Sequence, residues 1–304
     1  MTTVRGSRLR RGPFVVSSLE SLVFTLATFP LTDANAALGQ RFQVGDVIRG
    51  GGQGVVCRGS RIAMPDGRAL VEDCAIKYYF DPAQDERVDR EVKALEGFRH
   101  PNLANILEHG RIVLNGESVR YVAWEYIDGE PLDMKLRGGA LSGRTVACIG
   151  RDVARAIDHI WSKRIVHRDV NPKNIMLKRG DAEAVLIDLG IARHLFESPL
   201  TGPGITWGTY GYLSPEQCRA EPNLTCHSDI FSLGVSLQEA LAGHHPTRGD
   251  QQNLVAAPPR TSDLVPSSPA ALAGIVDLML SLRAPFRPLP AALVLRFAEL
   301  AASL

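Results

Sequence analysis

The stretch that decides the fold is residues 167–177, which read HRDVNPKNIML. An apolar run at 164–166 leads into it, and the run Ile175-Met176-Leu177 leads out with strand-like residues. Between the two runs lie an acid, Asp169, and an amide, Asn174. Because Pro172 fixes φ and lacks an N–H, this segment is predicted to be a polar loop rather than a helix. Asp and Asn are also common in ordinary turns, so the rest of the chain must supply the context.

The pattern H-R-D-x-x-x-x-N resembles the protein kinase family. In that family the aspartate accepts the proton of the substrate hydroxyl, and the asparagine holds a magnesium ion. The resemblance therefore implies that Asp169 is the catalytic base and that Asn174 is a metal ligand. It also implies that Lys173, four residues after Asp169, is the lysine with which serine/threonine kinases steady the γ-phosphate. That reading favours Ser and Thr substrates.

The composition is that of an ordinary globular protein, with 45% hydrophobic and 22% charged residues among 304. The net charge of +1 gives no reason to expect nucleic acid or an anionic membrane as the main partner. Five cysteines form no C-x-x-C pair, so neither a disulfide framework nor a zinc site is expected. Reduced thiols and the use of ATP together favour a cytoplasmic protein.

Residues 1–41 are predicted to be an extension in front of the domain. Arginines precede a mostly apolar run over 14–31, and the small residues at 34–36 outline a cleavage site, as in a secretory signal. Glu20 lies inside the apolar run, and a carboxylate there is costly in hydrocarbon, which argues against a signal and against a membrane span. A signal or anchor, a helix that packs on the domain and a disordered, mobile segment are the alternatives left open.

Residues 48–57, IRGGGQGVVC, form a glycine-rich turn between β-formers. Glycine allows the backbone to approach phosphates and to offer N–H groups to them. In the kinase pattern G-x-G-x-x-G-x-V, Arg49 stands where the first glycine is expected, which is a departure. The resemblance still implies a nucleotide loop that comprises Ile48, Gly50, Gly51, Gly52, Gln53, Gly54 and Val56.

Residues 74–79, CAIKYY, resemble the V-A-I-K strand of kinases. The resemblance implies that Lys77 binds the α- and β-phosphates of ATP. A buried lysine needs a counter-charge. The candidate is Glu91, on a helix that apolar residues at helical spacing predict over residues 85–98. Glu91 corresponds to the glutamate of the family's single N-lobe helix, αC.

A strand is predicted over residues 119–127, and a turn, DGEP, follows it. The resemblance implies that this is the hinge between two lobes. Trp124 then falls at the position that guards the pocket behind adenine, so that back pocket is predicted to be filled. Adenine is expected to bind backbone groups of Glu125 and Ile127, between the side chains of Val56 and Ala75.

Two motifs follow the catalytic loop, to which a helix predicted over residues 145–163 delivers the chain. Residues 184–190, AVLIDLG, resemble the D-F-G element and imply that Asp188 binds magnesium, which prefers hard oxygen ligands. Residues 208–216, GTYGYLSPE, match G-T-x-x-Y-x-x-P-E and make 189–207 the activation loop. A phosphate there would pair with Arg168, and its expected carriers are Thr201 first, then Thr206 and Ser198.

Two residues are expected to support the site from a distance. Asp229 would brace the backbone of the catalytic loop, and Arg287 would form an ion pair with Glu216. A polar, proline-rich surface loop is predicted over residues 246–269. Closing helices are predicted over 272–282 and 291–300.

The order of these motifs implies an α+β, two-lobed protein-kinase-like fold over residues 42–302. The N-lobe (42–125) is a β-sheet with the αC helix, and the C-lobe (128–302) is mainly helical. The expected activity is transfer of the γ-phosphoryl group of ATP, with Mg2+, to Ser or Thr of proteins. Autophosphorylation through a transient homodimer is expected as well. The P-E-Q of residues 215–217 and the compact domain resemble bacterial members of the family. The alternatives are a nucleotide-binding scaffold of the pseudokinase type and a kinase-like small-molecule phosphotransferase.

Overall fold

The computed structural model describes residues 29–51, 54–63, 70–79, 92, 97, 99–179, 183–189 and 209–304. The buried side chains form two hydrophobic cores, one in an antiparallel sheet and one in a mainly helical body. This confirms the predicted two-lobed fold. Several predicted residues lie outside the described ranges, namely Gly52, Gln53, Glu91, Ser198, Thr201 and Thr206.

Five strands form the sheet of the N-lobe: β1 (Phe42–Gly51), β2 (Gly54–Ala63), β3 (Leu70–Tyr79), β4 (Ile106–Leu114) and β5 (Glu117–Glu125). They pair antiparallel in the order β1-β2-β3-β5-β4. Asn115 and Gly116 join β4 to β5 with φ angles of 52° and 83°, the positive values that a tight hairpin requires. The strand β3 is the central strand of the five, so Lys77 stands in the middle of the sheet.

The helix α1 (Leu31–Leu38) precedes the sheet and packs on it. Ala34 and Leu38 are buried in the core of the N-lobe. Asn35 clips the helix to β1, because its Nδ2 donates to Val44 O (2.9 Å) and its Oδ1 accepts from Val44 N–H (2.7 Å). Part of the predicted extension is therefore built into the N-lobe. Within the described ranges no helix is both long and apolar enough to cross a lipid bilayer.

The C-lobe combines a small sheet with helices. Its strands are β6 (Gly129–Pro131), β7 (Ile175–Lys178) and β8 (Ala184–Leu186). The helices are α2 (Leu132–Lys135), α3 (Gly143–Trp161), α4 (Pro215–Cys218), α5 (Cys226–Ala242), α6 (Gln251–Ala256), α7 (Thr261–Leu264), α8 (Ala270–Met279) and α9 (Pro290–Ser303).

The predicted surface loop over 246–269 is wrong in part, because it contains the two short helices α6 and α7. Asp250 caps α6 by accepting the N–H of Asn253 at 3.0 Å. Gln251 and Leu254 of α6 are buried. Tertiary burial of these two side chains holds the segment in place despite its polar composition. The two closing helices are present as α8 and α9.

Candidate active site

A cavity of about 290 Å³ lies between the sheet and the helical lobe. Ile48, Val56 and Ala75 line it from β1, β2 and β3, and Met176 lines it from β7. A slot between apolar walls that also holds a few charged groups is the usual form of a small-molecule site. The charged side chains on its wall include Lys77, Lys173 and Asp188.

Gly54, in the glycine-rich turn, is a position where only glycine fits. Its φ is 141°, and a Cβ built on it would lie 1.9 Å from the backbone oxygen of Tyr78. Any side chain would therefore push β2 away from β3, the strand that carries Lys77. Gly51 pairs with Gly54 across the β1–β2 ladder, and Gly50 pairs with Val55, so these predicted loop glycines lie where the hairpin turns.

The segment between the lobes lies along one wall of the cavity. The N–H of Glu125 donates to Asn105 O at 2.8 Å, and the Glu125 carboxylate accepts from the Asn105 amide. The backbone N–H and C=O of Ile127 make no hydrogen bond with the described residues. Of the two predicted adenine contacts, Ile127 keeps both backbone groups available, whereas the N–H of Glu125 is already used.

Trp124 closes the cavity behind this segment. It is 6% exposed, lines the cavity and pairs with Ala75 across β3 and β5. Within the described part of the chain, its buried indole N–H has no hydrogen-bond partner. The indole is therefore a buried part of the cavity wall, and its filling of the pocket behind adenine stays a prediction.

Lys77 and Asp188 form an ion pair that joins the two lobes. The Lys77 Nζ lies 2.7 Å and 2.6 Å from the two carboxylate oxygens of Asp188, and 5.0 Å from the ring centroid of Tyr79. Burial by itself raises the pKa of Asp188, but the lysine outweighs it and holds that pKa below its ordinary value. Because the predicted partner Glu91 lies outside the described ranges, Asp188 is the counter-charge of Lys77 that the structure shows.

The carboxylate of Asp169 accepts hydrogen bonds from three side chains in the described part of the chain. Its Oδ1 accepts from Asn171 Nδ2 at 2.7 Å and from Thr209 Oγ1 at 2.8 Å, and its Oδ2 accepts from Asn174 Nδ2 at 2.9 Å. Sequence reasoning missed Asn171 and Thr209. The available signals were the position of Asn171 two residues after the acid and of Thr209 inside the G-T-x-x-Y-x-x-P-E motif.

Asn174 and Asp188 offer the oxygen atoms that a magnesium ion requires. The Nδ2 of Asn174 is engaged by the backbone O and the Oδ2 of Asp169, both at 2.9 Å, which directs its carbonyl oxygen elsewhere. The described residues contain no group of three or more His, Cys, Asp or Glu that could hold a metal. Two oxygen donors fit magnesium, because it takes its remaining ligands from phosphate and water.

Lys173 lies on the cavity wall and not beside the predicted base. Its side chain is exposed and forms no hydrogen bond or ion pair with the described residues. Its backbone N–H donates to Asn171 Oδ1 at 3.0 Å. The ammonium of Lys173 therefore lies toward the cavity. The side chain of the same loop that contacts Asp169 is the neutral amide of Asn171.

The backbone of the catalytic loop is braced by Asp229 of α5. Its two carboxylate oxygens accept the N–H groups of His167 and Arg168, both at 2.8 Å, which confirms the predicted contact. Burial raises the pKa of Asp229 to about 7, although these two donors oppose the rise. Arg168 has a φ of 66°, so the brace holds a backbone conformation that is costly for a non-glycine residue.

His167 connects this loop to Asp188. Its Nε2 lies 3.0 Å from the backbone oxygen of Ile187, and its Nδ1 accepts the N–H of Asp169 at 3.3 Å. A ring nitrogen that accepts a backbone N–H leaves the other nitrogen to donate. The same imidazole therefore fixes Asp169 on one side and the residue before Asp188 on the other.

Glu216 and Arg287 form the predicted ion pair, which is confirmed. Arg287 Nη1 and Nη2 lie 2.5 Å and 2.9 Å from the two carboxylate oxygens. Ser228 Oγ donates to Glu216 at 2.7 Å. Burial alone raises the pKa of Glu216, but the hydrogen bonds and charge of Arg287 prevail and lower it. The pair anchors the segment that follows Thr209 to the base of the C-lobe.

Comparison with known proteins agrees with this geometry. Residues 43–264 match the family described as protein kinase domain. The chain is 32% identical over 241 residues to serine/threonine-protein kinase PknA of Mycobacterium tuberculosis, a match that covers 76% of this chain and 55% of PknA.

Two further relatives are similar at the same level. The chain is 30% identical over 243 residues to the probable serine/threonine-protein kinase PknB of Lactococcus lactis, covering 78% of this chain and 38% of that protein. It is 32% identical over 239 residues to serine/threonine-protein kinase PknB of Mycolicibacterium smegmatis, covering 76% and 37%. The match spans about half the length of PknA and less than two fifths of the PknB proteins.

Proposed function

This chain belongs to the protein kinase domain family, and on that premise we propose that it transfers the γ-phosphoryl group of ATP to serine and threonine hydroxyls of proteins. The observation that carries the proposal is the carboxylate of Asp169, which three donors hold in place on the loop that also contributes Lys173 to the cavity. The names of the similar proteins support Ser and Thr as acceptors.

The cavity suits the adenosine part of ATP. The apolar side chains of Ile48, Val56 and Ala75 would cover the base from the N-lobe, with Met176 beneath it. The backbone of Ile127, which has no partner among the described residues, would hydrogen-bond the edge of the base. Apolar walls with few directed polar groups give both affinity and orientation.

Two lysines would meet the phosphates. Lys77 is 8% exposed, and its ammonium would bind the α- and β-phosphates on the N-lobe side. Lys173 reaches the cavity from the catalytic loop and would steady the γ-phosphate. Phosphoryl transfer needs mainly positioning and charge stabilisation, which fixed cations supply.

Magnesium would be held by Asp188 and Asn174. When bound, the ion would neutralise negative charge on the phosphate oxygens. The chain would contribute two ligands. One is the carboxylate of Asp188, whose pKa is held below its ordinary value. The other is the amide oxygen of Asn174, which the hydrogen bonds of Asn174 Nδ2 orient.

Asp169 would receive the proton of the acceptor hydroxyl. As the hydroxyl oxygen bonds to the γ-phosphorus, the bond from that phosphorus to the bridging oxygen of ADP breaks. The hydroxyl proton passes to an Asp169 carboxylate oxygen, which lies within hydrogen-bond reach of an incoming donor. The products are ADP and a phosphorylated side chain.

Autophosphorylation would require a transient contact between two copies of the chain. The activation-loop residue Thr201 is its first expected target, as in the sequence reading. Because the reaction consumes ATP, we place it in the cytoplasm, with proteins and not nucleic acid as the partners.

The test is transfer from γ-labelled ATP with magnesium, offered to a generic basic protein and separately to a mixture of small metabolites. The proposal expects label on the protein, recovered as phosphoserine and phosphothreonine after hydrolysis. Label only on metabolites would contradict it and point to a small-molecule phosphotransferase. Bound ATP without transfer to any acceptor would contradict it in favour of a nucleotide-binding scaffold.

A further inference from the structure

The glycine-rich hairpin carries an arginine, Arg49, at the position where the kinase pattern has its first glycine. The structure places Arg49 on the wall of the cavity, together with Ile48 and Asp188. The family pattern presents only backbone at this position, whereas this chain presents a guanidinium. The side chain of Arg49 is therefore a feature of the cavity that the resemblance to the family does not explain.

An irregularity in β1 turns Arg49 toward the cavity. Val47 pairs with Cys57 of β2, and Arg49 pairs with Val56, so two steps along β1 match one step along β2. Cys57 lies in the core of the N-lobe and Val47 packs against that core, whereas Val56 lines the cavity. Residues two apart on a regular strand face the same side. The extra residue reverses this alternation, and Arg49 shares the cavity side with its partner Val56.

The residues that line the cavity include three cations, and these differ in how they are engaged. The Nζ of Lys77 is held by both carboxylate oxygens of Asp188, at 2.7 Å and 2.6 Å. The side chains of Arg49 and Lys173 form no hydrogen bond or ion pair with the described residues. On the side of the N-lobe, Arg49 is therefore the cation that an incoming anion meets without first breaking an ion pair.

Arg49 also lies close enough to Asp188 to act on its charge. Burial raises the pKa of Asp188, whereas Lys77 and, to a smaller extent, His167 and Arg49 lower it. A cation that acts on this carboxylate also acts on anions placed beside it. The proposed reaction places the phosphates of the nucleotide there, because Asp188 would hold their magnesium ion.

We propose that Arg49 binds the phosphate chain of the nucleotide and so adds a side-chain contact to the N–H groups that the glycine-rich loop offers. The proposal rests on the proposed function, because it concerns the same nucleotide. A guanidinium suits this task, since it stays charged and its planar fork of N–H donors matches the oxygens of a phosphate. The ligands that Arg49 would favour are nucleotides with two or more phosphates over the free nucleoside.

Two other placements of the guanidinium would give different results. An exposed arginine can keep its charge in water and pack only its stem on the protein, and nucleotide binding would then not depend on it. A side chain that filled the space of the phosphates would instead obstruct the nucleotide. The affinities of Arg49 variants separate these three placements.

The experiment measures by calorimetry how ATP with magnesium, ADP and adenosine bind to the unaltered chain, to Arg49→Ala and to Arg49→Gly. We expect each variant to lower the affinity for ATP about tenfold, the effect of losing one hydrogen bond to a charged group. The affinity for adenosine should stay within about twofold, because adenosine has no phosphate. Arg49→Lys keeps the charge but not the fork, and should lower the affinity for ATP only about threefold.

Steady-state phosphate transfer to a protein acceptor gives a second readout. The KM for ATP should rise about tenfold in Arg49→Ala while kcat stays within about twofold, because a contact made equally in the ground state and the transition state changes KM alone. The matched control is Arg296→Ala, which removes an exposed arginine from α9. This variant should leave both constants unchanged.

Three outcomes would overturn the proposal. They are an unchanged affinity of Arg49→Ala for ATP, an equal loss of affinity for ATP and adenosine, and tighter binding of ATP by Arg49→Gly. Thermal unfolding identifies a variant that fails to fold, and Arg49→Gln then replaces it. If the unaltered chain binds ATP but transfers no phosphate, the proposed function fails, whereas the affinities still decide the role of Arg49.

Discussion

At the scale of single residues, the chemistry depends on which atoms face the Asp169 carboxylate. Both of its oxygens already accept hydrogen bonds, from Asn171, Thr209 and Asn174. In the proposed reaction, an acceptor hydroxyl would therefore approach a carboxylate whose direction is fixed in advance. Fixed orientation lowers the entropy cost of the reaction, which is one of the larger contributions that a protein can make.

Trp124 gives a prediction at the same scale. Replacing it with alanine should open space behind the cavity, so an inhibitor that needs this back pocket should bind at least about tenfold more tightly, or about 1.4 kcal/mol. The KM for ATP should change little, because adenine is proposed to bind backbone groups rather than the indole. Binding is measured by calorimetry with such a compound.

The control for this prediction is Trp161→Ala, which removes an indole that stacks on Arg164 at the end of α3, away from the cavity. It should leave inhibitor binding unchanged. Equal affinity of the compound for the unaltered chain and for Trp124→Ala would show that the indole does not fill the back pocket.

The sequence motifs predicted positions for the site residues, and the roles assigned to those residues stay predictions. Lys77 and Asp188 line the cavity, and Asn174 Nδ2 donates to Asp169 Oδ2 on the catalytic loop. The contact between Asn171 and Thr209 could not be predicted, since these residues are 38 apart in the chain and meet only through tertiary packing. Lys173 was assigned from its spacing after Asp169. The structure shows that its side chain lies on the cavity wall, whereas that of Asn171 contacts Asp169.

At the scale of elements, buried polar contacts hold the C-lobe segments around the site. Glu216 begins the short helix α4, and Arg287 lies 71 residues away, after α8. Arg287 also donates to His227 O at 2.8 Å and lies over the ring of Phe231. One guanidinium therefore ties α4, the start of α5 and the loop before α9 together.

Glu216→Gln tests this anchor. It should lower the free energy of unfolding at pH 7 by about 3–5 kcal/mol, because the Arg287 charge stays buried without its partner. The pKa of Glu216 is lowered in the folded protein. The ionised Glu216 therefore stabilises the fold at pH values above its ordinary pKa of 4.5, and this contribution is lost as the pH falls below that value. Urea unfolding at several pH values should show that the difference in unfolding free energy between Glu216→Gln and the unaltered chain becomes smaller at acidic pH.

The matched control is Glu221→Gln, which breaks the exposed pair with Arg219 at 2.8 Å. Exposed pairs contribute little, so the change should stay below about 1 kcal/mol at every pH. A cost of that small size for Glu216→Gln, or one independent of pH, would contradict the role given to the buried pair.

Strands and helices with one apolar face could be predicted from the sequence. The strands of the N-lobe and the long helix α3 follow from such patterns, and α3 begins where Ser142 caps it through Thr145 N–H at 3.2 Å. The short helix α6 was missed, because its burial depends on Gln251 and Leu254 within a polar stretch. A packed helix was one of the alternatives for the N-terminal extension, and α1 is such a helix; its hydrogen bonds from Asn35 to Val44 leave no periodic pattern in the sequence.

At the scale of the whole molecule, the two lobes meet at the site. Lys77 belongs to the sheet of the N-lobe and Asp188 to the C-lobe, and their ion pair crosses the cavity. Ala104 N–H donates to Leu186 O at 3.0 Å nearby, a backbone contact between the same two regions. A nucleotide in the cavity would therefore contact both lobes together, and both contribute to the proposed reaction.

The most direct test of the central claim is phosphate transfer by Asp169→Asn beside the unaltered chain. We expect the affinities of the two proteins for ATP with magnesium to agree within about threefold. The rate of transfer should fall about 10²- to 10⁴-fold in the variant, the usual effect of losing a general base. Asp250→Asn, the same exchange at the exposed cap of α6, should transfer at the unaltered rate. Undiminished transfer by Asp169→Asn would contradict the account.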